Sequence, residues 1–219
     1  FIRGKTVLIN AHACTSFHVG DIVYLYHAYS RASDSIQCTI TNINARKYQD
    51  VALITFSGNA HDCIDIVSKF PRTKTDLTPT MRNNASFLSE ITKKNISKKQ
   101  IIFAPNIRPV LLDKKMAPVV GTFNTNKSVM IEPIIRYKAF NFLGLCGSPL
   151  IVDTGKLTVI GIHSGGNPDN ECFASYVTQD VLLEMLSALP HSDRIIVHPQ
   201  AFPEEPSFRV PVLYGPYEG

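Results

Sequence analysis

Across 219 residues, 44% of them hydrophobic, the chain has enough apolar material to bury a sizeable core, as one all-β domain or as two small lobes. No stretch approaches the roughly 18 consecutive apolar residues of a membrane span. Phe1-Ile2-Arg3-Gly4-Lys5 has no apolar signal core, so a soluble protein without a leader is expected. A formal charge of +4 permits contact with an anion such as RNA and by itself does not argue for one.

Strand-like runs rich in β-branched residues recur with turn residues between them. In chain order they are Thr6 to Asn10, Ile22 to Tyr26, Ile36 to Ile43, Val51 to Phe56, Val129 to Ile135, Leu150 to Val152 and Leu157 to Ile162. Asp153-Thr154-Gly155-Lys156 supplies turn chemistry between the last two, which predicts a β-hairpin from Leu150 to Gly161. The stretch from Pro71 to Lys99 is basic and polar, carrying Lys93, Lys94, Lys98 and Lys99 among Thr, Asn and Ser, and reads as a connector that is partly a mobile loop. Its four clustered lysines read as a solvated face. Helical periodicity is confined to Asp180 to Leu189, where Val181, Leu182, Met185, Leu186 and Leu189 form one stripe. Thr178 suits the N-cap and Pro190 the stop. From His198 onward five prolines predict an extended tail. The expected division is an N-terminal β-barrel lobe at 1–70, a connector at 71–100, a C-terminal β-barrel lobe with its helix at 101–190, and the tail at 191–219.

Five cysteines, an odd number with no Cys-x-x-Cys pair, argue against a zinc or dithiol site and for a reducing compartment. Cys14, Cys38, Cys63 and Cys172 read as small buried apolar side chains. Cys146 differs because of its neighbours, Gly144-Leu145-Cys146-Gly147-Ser148-Pro149, a small-residue loop just before a strand. Flanking glycines let backbone N–H groups converge beside the sulfur, the geometry that an oxyanion hole needs. A thiol acting as nucleophile requires a base. His12 ends a strand-like run between two alanines, and Asp50 stands thirty-eight positions later at the mouth of the apolar run Val51 to Phe56. A carboxylate there can hold the imidazole N–H and aim its other nitrogen at the thiol. Base, acid and nucleophile then follow in the chymotrypsin order, whose separations are roughly 45 and 93 residues; the second separation here is 96. The α/β-hydrolase and papain orders do not fit. His18, His27, His61, His191 and His198 read as ordinary surface or core residues.

On Ile9-Asn10-Ala11-His12, Asp50-Val51-Ala52-Leu53, Gly144-Leu145-Cys146-Gly147 and Gly161-Ile162-His163-Ser164-Gly165-Gly166, the chain resembles the picornaviral 3C-type cysteine proteases, in the broader form found in insect-infecting relatives such as iflaviruses. The resemblance spans about residues 5 to 180. It implies an all-β, two-lobed chymotrypsin-like double barrel with a short C-terminal helix. It also implies cleavage of a viral polyprotein after Gln or Glu in the host cell cytoplasm, without cofactor or metal. It places catalysis on His12, Asp50 and Cys146, the oxyanion hole on the N–H groups of Gly144, Leu145 and Cys146, and the S1 pocket on His163. Asn141 stands where the family commonly has a threonine in that pocket. Lys69-Phe70-Pro71-Arg72 loosely resembles the family's RNA-binding motif, which carries over Lys69 and Arg72 and makes viral RNA a second candidate partner. The segment ahead of His12 is shorter than the family's, so the first barrel is expected to lack its first elements. Gln200-Ala201 resembles a junction that such enzymes cut.

Two alternatives stand beside this reading. A protease-like module could bind RNA or a protein with Cys146 incidental. A trypsin-like serine protease is disfavoured because cysteine occupies the nucleophile's place.

Overall fold

The computed structural model describes residues 1–25, 35–60, 62–97, 100–114, 116, 118–123, 127–141 and 145–189, with backbone alone for 89–97, 100–106, 121–123 and 127–129. Tyr26, His27, His61, Lys98, Lys99, Gly144 and everything from Pro190 on, including the proline-rich tail and Gln200-Ala201, lie outside these residues.

The chain is all-β with short helices. Strands β1 (Thr6–Ile9), β2 (Ile22–Leu25), β3 (Ile36–Arg46) and β4 (Val51–Gly58) form a four-stranded sheet in the order β1-β4-β3-β2. A second sheet of six strands runs β6-β5-β10-β11-β12-β9, where β5 is Ala85–Ser97, β6 Gln100–Val110, β9 Ile134–Lys138, β10 Pro149–Asp153, β11 Leu157–Gly166 and β12 Glu171–Tyr176. β7 (Val119–Phe123) and β8 (Lys127–Ile131) make a separate hairpin. All of these pairings are antiparallel. The described residues also include the α-helices α1 at Pro79–Asn83 and α2 at Gln179–Ser187. Among the described residues no helix is long and apolar enough to cross a membrane.

Among the described residues three large packed clusters and a smaller one of Ile131, Ile134 and Phe173 hold this arrangement. Cys38, Ile40, Ala52, Ile54 and Phe56 line the first sheet, and Phe87, Tyr137, Leu150, Val152 and Ile160 the second. A third cluster joins Leu8, Val51 and Leu53 of the first sheet to Ile162, Val177, Leu182 and Met185 of the second lobe and α2, so it forms the seam between lobes. Each of these fully buried side chains contributes about 1.5–3 kcal/mol of transfer free energy. Helix α2 is pinned there by its cap, since the Thr178 hydroxyl accepts from Val181 N at 3.3 Å, and by Asn44 Nδ2 donating to the Met185 carbonyl at 2.8 Å.

The predicted hairpin from Leu150 is present: Asp153 pairs with Leu157, Gly155 has φ +87°, and its N–H donates to Asp153 Oδ1 at 3.0 Å. Two expectations differ from the structure. Val129 to Ile135 is two strands, because the chain breaks at Glu132-Pro133, where Pro133 has no N–H to continue a ladder. The stretch read as a connector up to Lys99 carries β5 from Ala85, so only 71–84 links the lobes. β5 is polar and β6 contains Pro105 and Pro109, which hid both from a pattern search. The prolines are tolerated because β6 is the outermost strand of its sheet and one side of it needs no donors. Cys14, Cys38 and Cys172 are buried as expected, whereas Cys63 is half-buried, its backbone held to Gly4 by an isolated bridge.

Candidate active site

His12 and Asp50 meet because β1 pairs with β4. The register sets Ile9 opposite Ala52, so the residues just past the end of β1 lie against those just before β4. Past Asn10 the chain enters a 3-10 turn, Ala11–Cys14, that carries His12; a second such turn, Lys47–Gln49, ends on Asp50 with φ 49° and ψ 43°. An aspartate tolerates this left-handed conformation better than most residues. Asp50 is 1% exposed and its carboxylate is fully engaged. It accepts from His12 N at 3.0 Å, lies 2.9 Å from His12 Nδ1 through both oxygens, and accepts from Asn10 Nδ2 at 3.0 Å.

Cys146 comes from the other lobe. Its loop is anchored by buried Leu145, turned by the Ser148 N–H donating to the Leu145 carbonyl at 3.0 Å, and laced to β11 by Gly147 N to His163 O at 2.9 Å and His163 N to Ser148 O at 2.8 Å. Gly147 has φ +88°, which a residue with a Cβ adopts only under strain. The Cys146 side chain stands close enough to the His12 ring to raise its basicity, and its Sγ donates to the Ser164 carbonyl at 3.7 Å. Carboxylate, imidazole and thiol therefore come together at the seam.

Burial alone would push the His12 imidazole down, but the Asp50 carboxylate hydrogen-bonded to it and the Cys146 side chain beside it outweigh this and raise it from 6.5 to about 9. The thiols of Cys14 and Cys172 are instead pushed up by burial, each to about 11.

His163 lies on β11, 1% exposed, with its ring 5.3 Å from that of Phe87. Its Nδ1 is 2.7 Å from the Tyr137 hydroxyl. Burial, aided by the charge on His12, lowers His163 to about 4, and burial raises the Tyr137 phenol well above its usual value. Asn141 is half-buried, with its side chain against Gly166 of β11: a Cβ built there would stand 2.7 Å from Asn141 Nδ2. Gly144 lies outside the described residues. Lys69 and Arg72 are exposed on the segment that leads to the second lobe, and among the described residues neither is in an ion pair.

The sequence reading missed Asn10, Tyr137, Ser164 and Ser175 as parts of this site. Tyr137 had a signal, since it sits between Arg136 and Lys138 in an alternating strand and a buried phenol needs a partner. Asn10 had a weaker one, a lone amide closing an apolar strand.

The two histidines oppose one another in their effect on stability. His163 is depressed, so its contribution is present above about 6.5 and is lost as pH falls from there towards 4, on the order of 3 kcal/mol at most. His12 is raised, so its contribution is full below 6.5 and is lost as pH rises through about 9. Urea unfolding across pH 4–9 is expected to show falling stability on both sides of a maximum near neutrality, and His163→Gln is expected to flatten the acid side. An acid limb of equal slope in that variant would rule out His163 as its source.

Over residues 6–168 the sequence matches the 3C cysteine proteases (picornain 3C). The chain belongs to this family. Among curated relatives are the genome polyproteins of Encephalomyocarditis virus strains emc-b nondiabetogenic and emc-d diabetogenic, each 24% identical over an alignment covering 96% of this chain and 8% of the relative. The chain thus spans less than a tenth of those relatives' length. Similar solved structures include the HRV-C 3C protein with rupintrivir, at 15% identity and TM-score 0.51 over 82% of this chain and 84% of that one. A Tobacco Etch Virus protease mutant has 14% identity and TM-score 0.54 over 86% and 70%. The Rv3671c protease from M. tuberculosis, active form, has 12% identity and TM-score 0.53 over 88% and 73%. At these identities the likeness speaks for the fold, which is the two-lobed chymotrypsin-like one. Family and fold together make the chain a chymotrypsin-like cysteine protease.

Proposed function

We propose that this protease processes a viral polyprotein by cutting after Gln or Glu, with Cys146 as nucleophile, His12 as general base and Asp50 as the group that orients the base. The observation that carries the reading is that the Asp50 carboxylate, 2.9 Å from His12 Nδ1, and the Cys146 side chain both act on the same imidazole. With Nδ1 on Asp50, the other ring nitrogen faces the sulfur and a raised basicity favours the proton leaving it. The sulfur adds to the P1 carbonyl carbon, and the oxyanion is met by backbone N–H groups of Gly144, Leu145 and Cys146. Among the described residues the Cys146 N–H has no backbone acceptor, which leaves it available for this role. His12 then hands its proton to the leaving amine, and water attacks the thioester to release the acyl product. The chemistry uses the chain's own side chains and backbone N–H groups with water, and calls for no cofactor.

The substrate reading rests on relatives that are themselves viral polyproteins, and action in the host cytoplasm goes with it; an origin near the insect-infecting branch rests on the sequence motifs alone. His163 forms the floor of the S1 pocket and Asn141 its second polar contact. The test is cleavage of a peptide library with P1 and P1′ varied, together with labelling by iodoacetamide at neutral pH. Cleavage confined to Gln or Glu peptides, with Cys146 labelled faster than the other four cysteines, is the expected result. No cleavage, with Cys146 labelled no faster than the rest, would favour a protease-like binding module instead.

RNA binding by Lys69 and Arg72 is a separate proposal, favoured by their exposure without ion-pair partners. Filter binding to single-stranded RNA should weaken with rising salt, and Lys69→Ala with Arg72→Ala should flatten the log–log slope by about 1–2. An unchanged slope removes these two residues from any RNA site.

A further inference from the structure

The two lobes share no strand between their main sheets, yet the base and acid come from one and the thiol from the other. The apolar seam that joins them is non-directional, so it does not by itself set the imidazole-to-sulfur geometry to within a few tenths of an ångström. Directional bonds also cross the seam away from the site, Asn44 Nδ2 to the Met185 carbonyl and Glu132 N to the Tyr48 carbonyl among them, and a further such junction lies beside the relay. Asn10 is 1% exposed and leads directly into the turn that carries His12. Its Nδ2 donates to Asp50 Oδ2 at 3.0 Å, to the Asp50 carbonyl at 3.4 Å and to Ser164 Oγ at 2.9 Å. Ser164 Oγ in turn lies 2.7 Å from Ser175 Oγ, and both serines are fully buried on the second sheet, in β11 and β12.

The orientation of this amide is not arbitrary. A carboxylate and a carbonyl only accept, so the NH₂ group must face Asp50. Asn10 Oδ1 then points the other way, towards the nucleophile loop, 3.9 Å from where a Cβ on Gly147 would stand. Buried there, it has no hydrogen-bond partner among the described residues. An unpaired buried acceptor costs stability. A leucine would fill the same space without that cost, so what the amide offers in return is its two donors.

We propose that Asn10 is a positioning residue: it locks the rotation of the Asp50 carboxylate from one lobe while tethering it through Ser164 and Ser175 to the lobe that carries Cys146. The inference rests on the catalytic reading above and adds to it a residue that touches neither sulfur nor imidazole ring. Its effect passes through Asp50 to His12, so it should register in kcat far more than in KM, and in how Cys146 reactivity depends on pH.

The test compares wild type with Asn10→Leu, Asn10→Asp and Ser164→Ala. It measures kcat and KM on a Gln-P1 peptide, the pH dependence of Cys146 alkylation by iodoacetamide, and Tm. Asn10→Asp keeps the shape but turns a carboxylate towards Asp50, and should cut kcat by about 10²-fold with KM within about threefold. Asn10→Leu should lower kcat by about 10-fold or more, and both should displace the alkylation profile along the pH axis. Ser164→Ala, a smaller change that covers the case in which the Asn10 variants do not fold, should lower kcat by several-fold. In the double variant its penalty should not add to that of Asn10→Leu. Folded variants with wild-type kcat and an unshifted alkylation profile, or losses that simply add, would overturn the role of Asn10 while leaving the relay intact. A wild type that neither cleaves peptide nor shows an accelerated Cys146 would instead overturn the relay itself.

Discussion

Cys146→Ala should abolish peptide hydrolysis, a loss of about 10⁴-fold or more in kcat, while leaving Tm close to that of wild type. The methyl group of alanine cannot form a thioester, so only the water reaction assisted by the oxyanion donors remains. His12→Ala should cost nearly as much, because in the proposed mechanism the imidazole takes the thiol's proton and hands it to the leaving amine. Asp50→Asn tests orientation rather than charge transfer. An amide NH₂ facing Nδ1 would favour the wrong ring tautomer, and a loss of up to about 10⁴-fold is expected. The three losses should not add, since each variant disables the same unit. A cooperative unfolding transition with Tm close to that of wild type separates a dead site from an unfolded one. A Cys146→Ala variant with more than a few per cent of wild-type activity would end the assignment of the nucleophile.

The second large effect concerns the residue that precedes the cut. His163 is held near 4, so at neutral pH its ring is uncharged and offers one N–H and one lone pair. The phenol of Tyr137, itself pushed well above its usual range by burial, keeps its proton, and its hydroxyl lies 2.7 Å from Nδ1, where it can donate to a ring protonated on Nε2. In that tautomer the Nε2 N–H is the group that would donate to the side-chain carbonyl of a P1 glutamine. An uncharged donor gives a glutamate carboxylate no compensating charge for its desolvation, so Gln should be preferred over Glu. His163→Ala is expected to lower kcat/KM on Gln substrates by about 10³-fold with much less effect on Cys146 alkylation. Tyr137→Phe is expected to reduce the Gln over Glu ratio by about 10-fold, because the ring is then released to the other tautomer. Competition between paired peptides reads both ratios directly, and a Glu preference in wild type would show that the ring is charged in the complex.

Much of the fold was readable because it lies in local pattern. Apolar runs such as Val51 to Ile54 announce strands wherever they fall, and the Thr178 cap with the Leu182 and Met185 stripe announces α2. What escaped were β7, β12, β5 and β6; in the last two, polar residues and prolines imitate a linker and only the neighbouring strand Pro149–Asp153 makes a sheet of them.

The candidate site divides in the same way. His12, Asp50 and Cys146 carry chemistry that few other residue types can supply, so order, spacing and flanking glycines singled them out as candidates, while His163 entered through the family resemblance. Asn10, Tyr137, Ser164 and Ser175 are common residues whose importance is entirely in what they face. From the one-dimensional chain came the identity of the reacting groups, because reactivity is a property of side-chain type. Only folding decided which neutral partners hold them, because hydrogen bonds such as Asn10 to Ser164 join residues 154 positions apart that no local pattern relates.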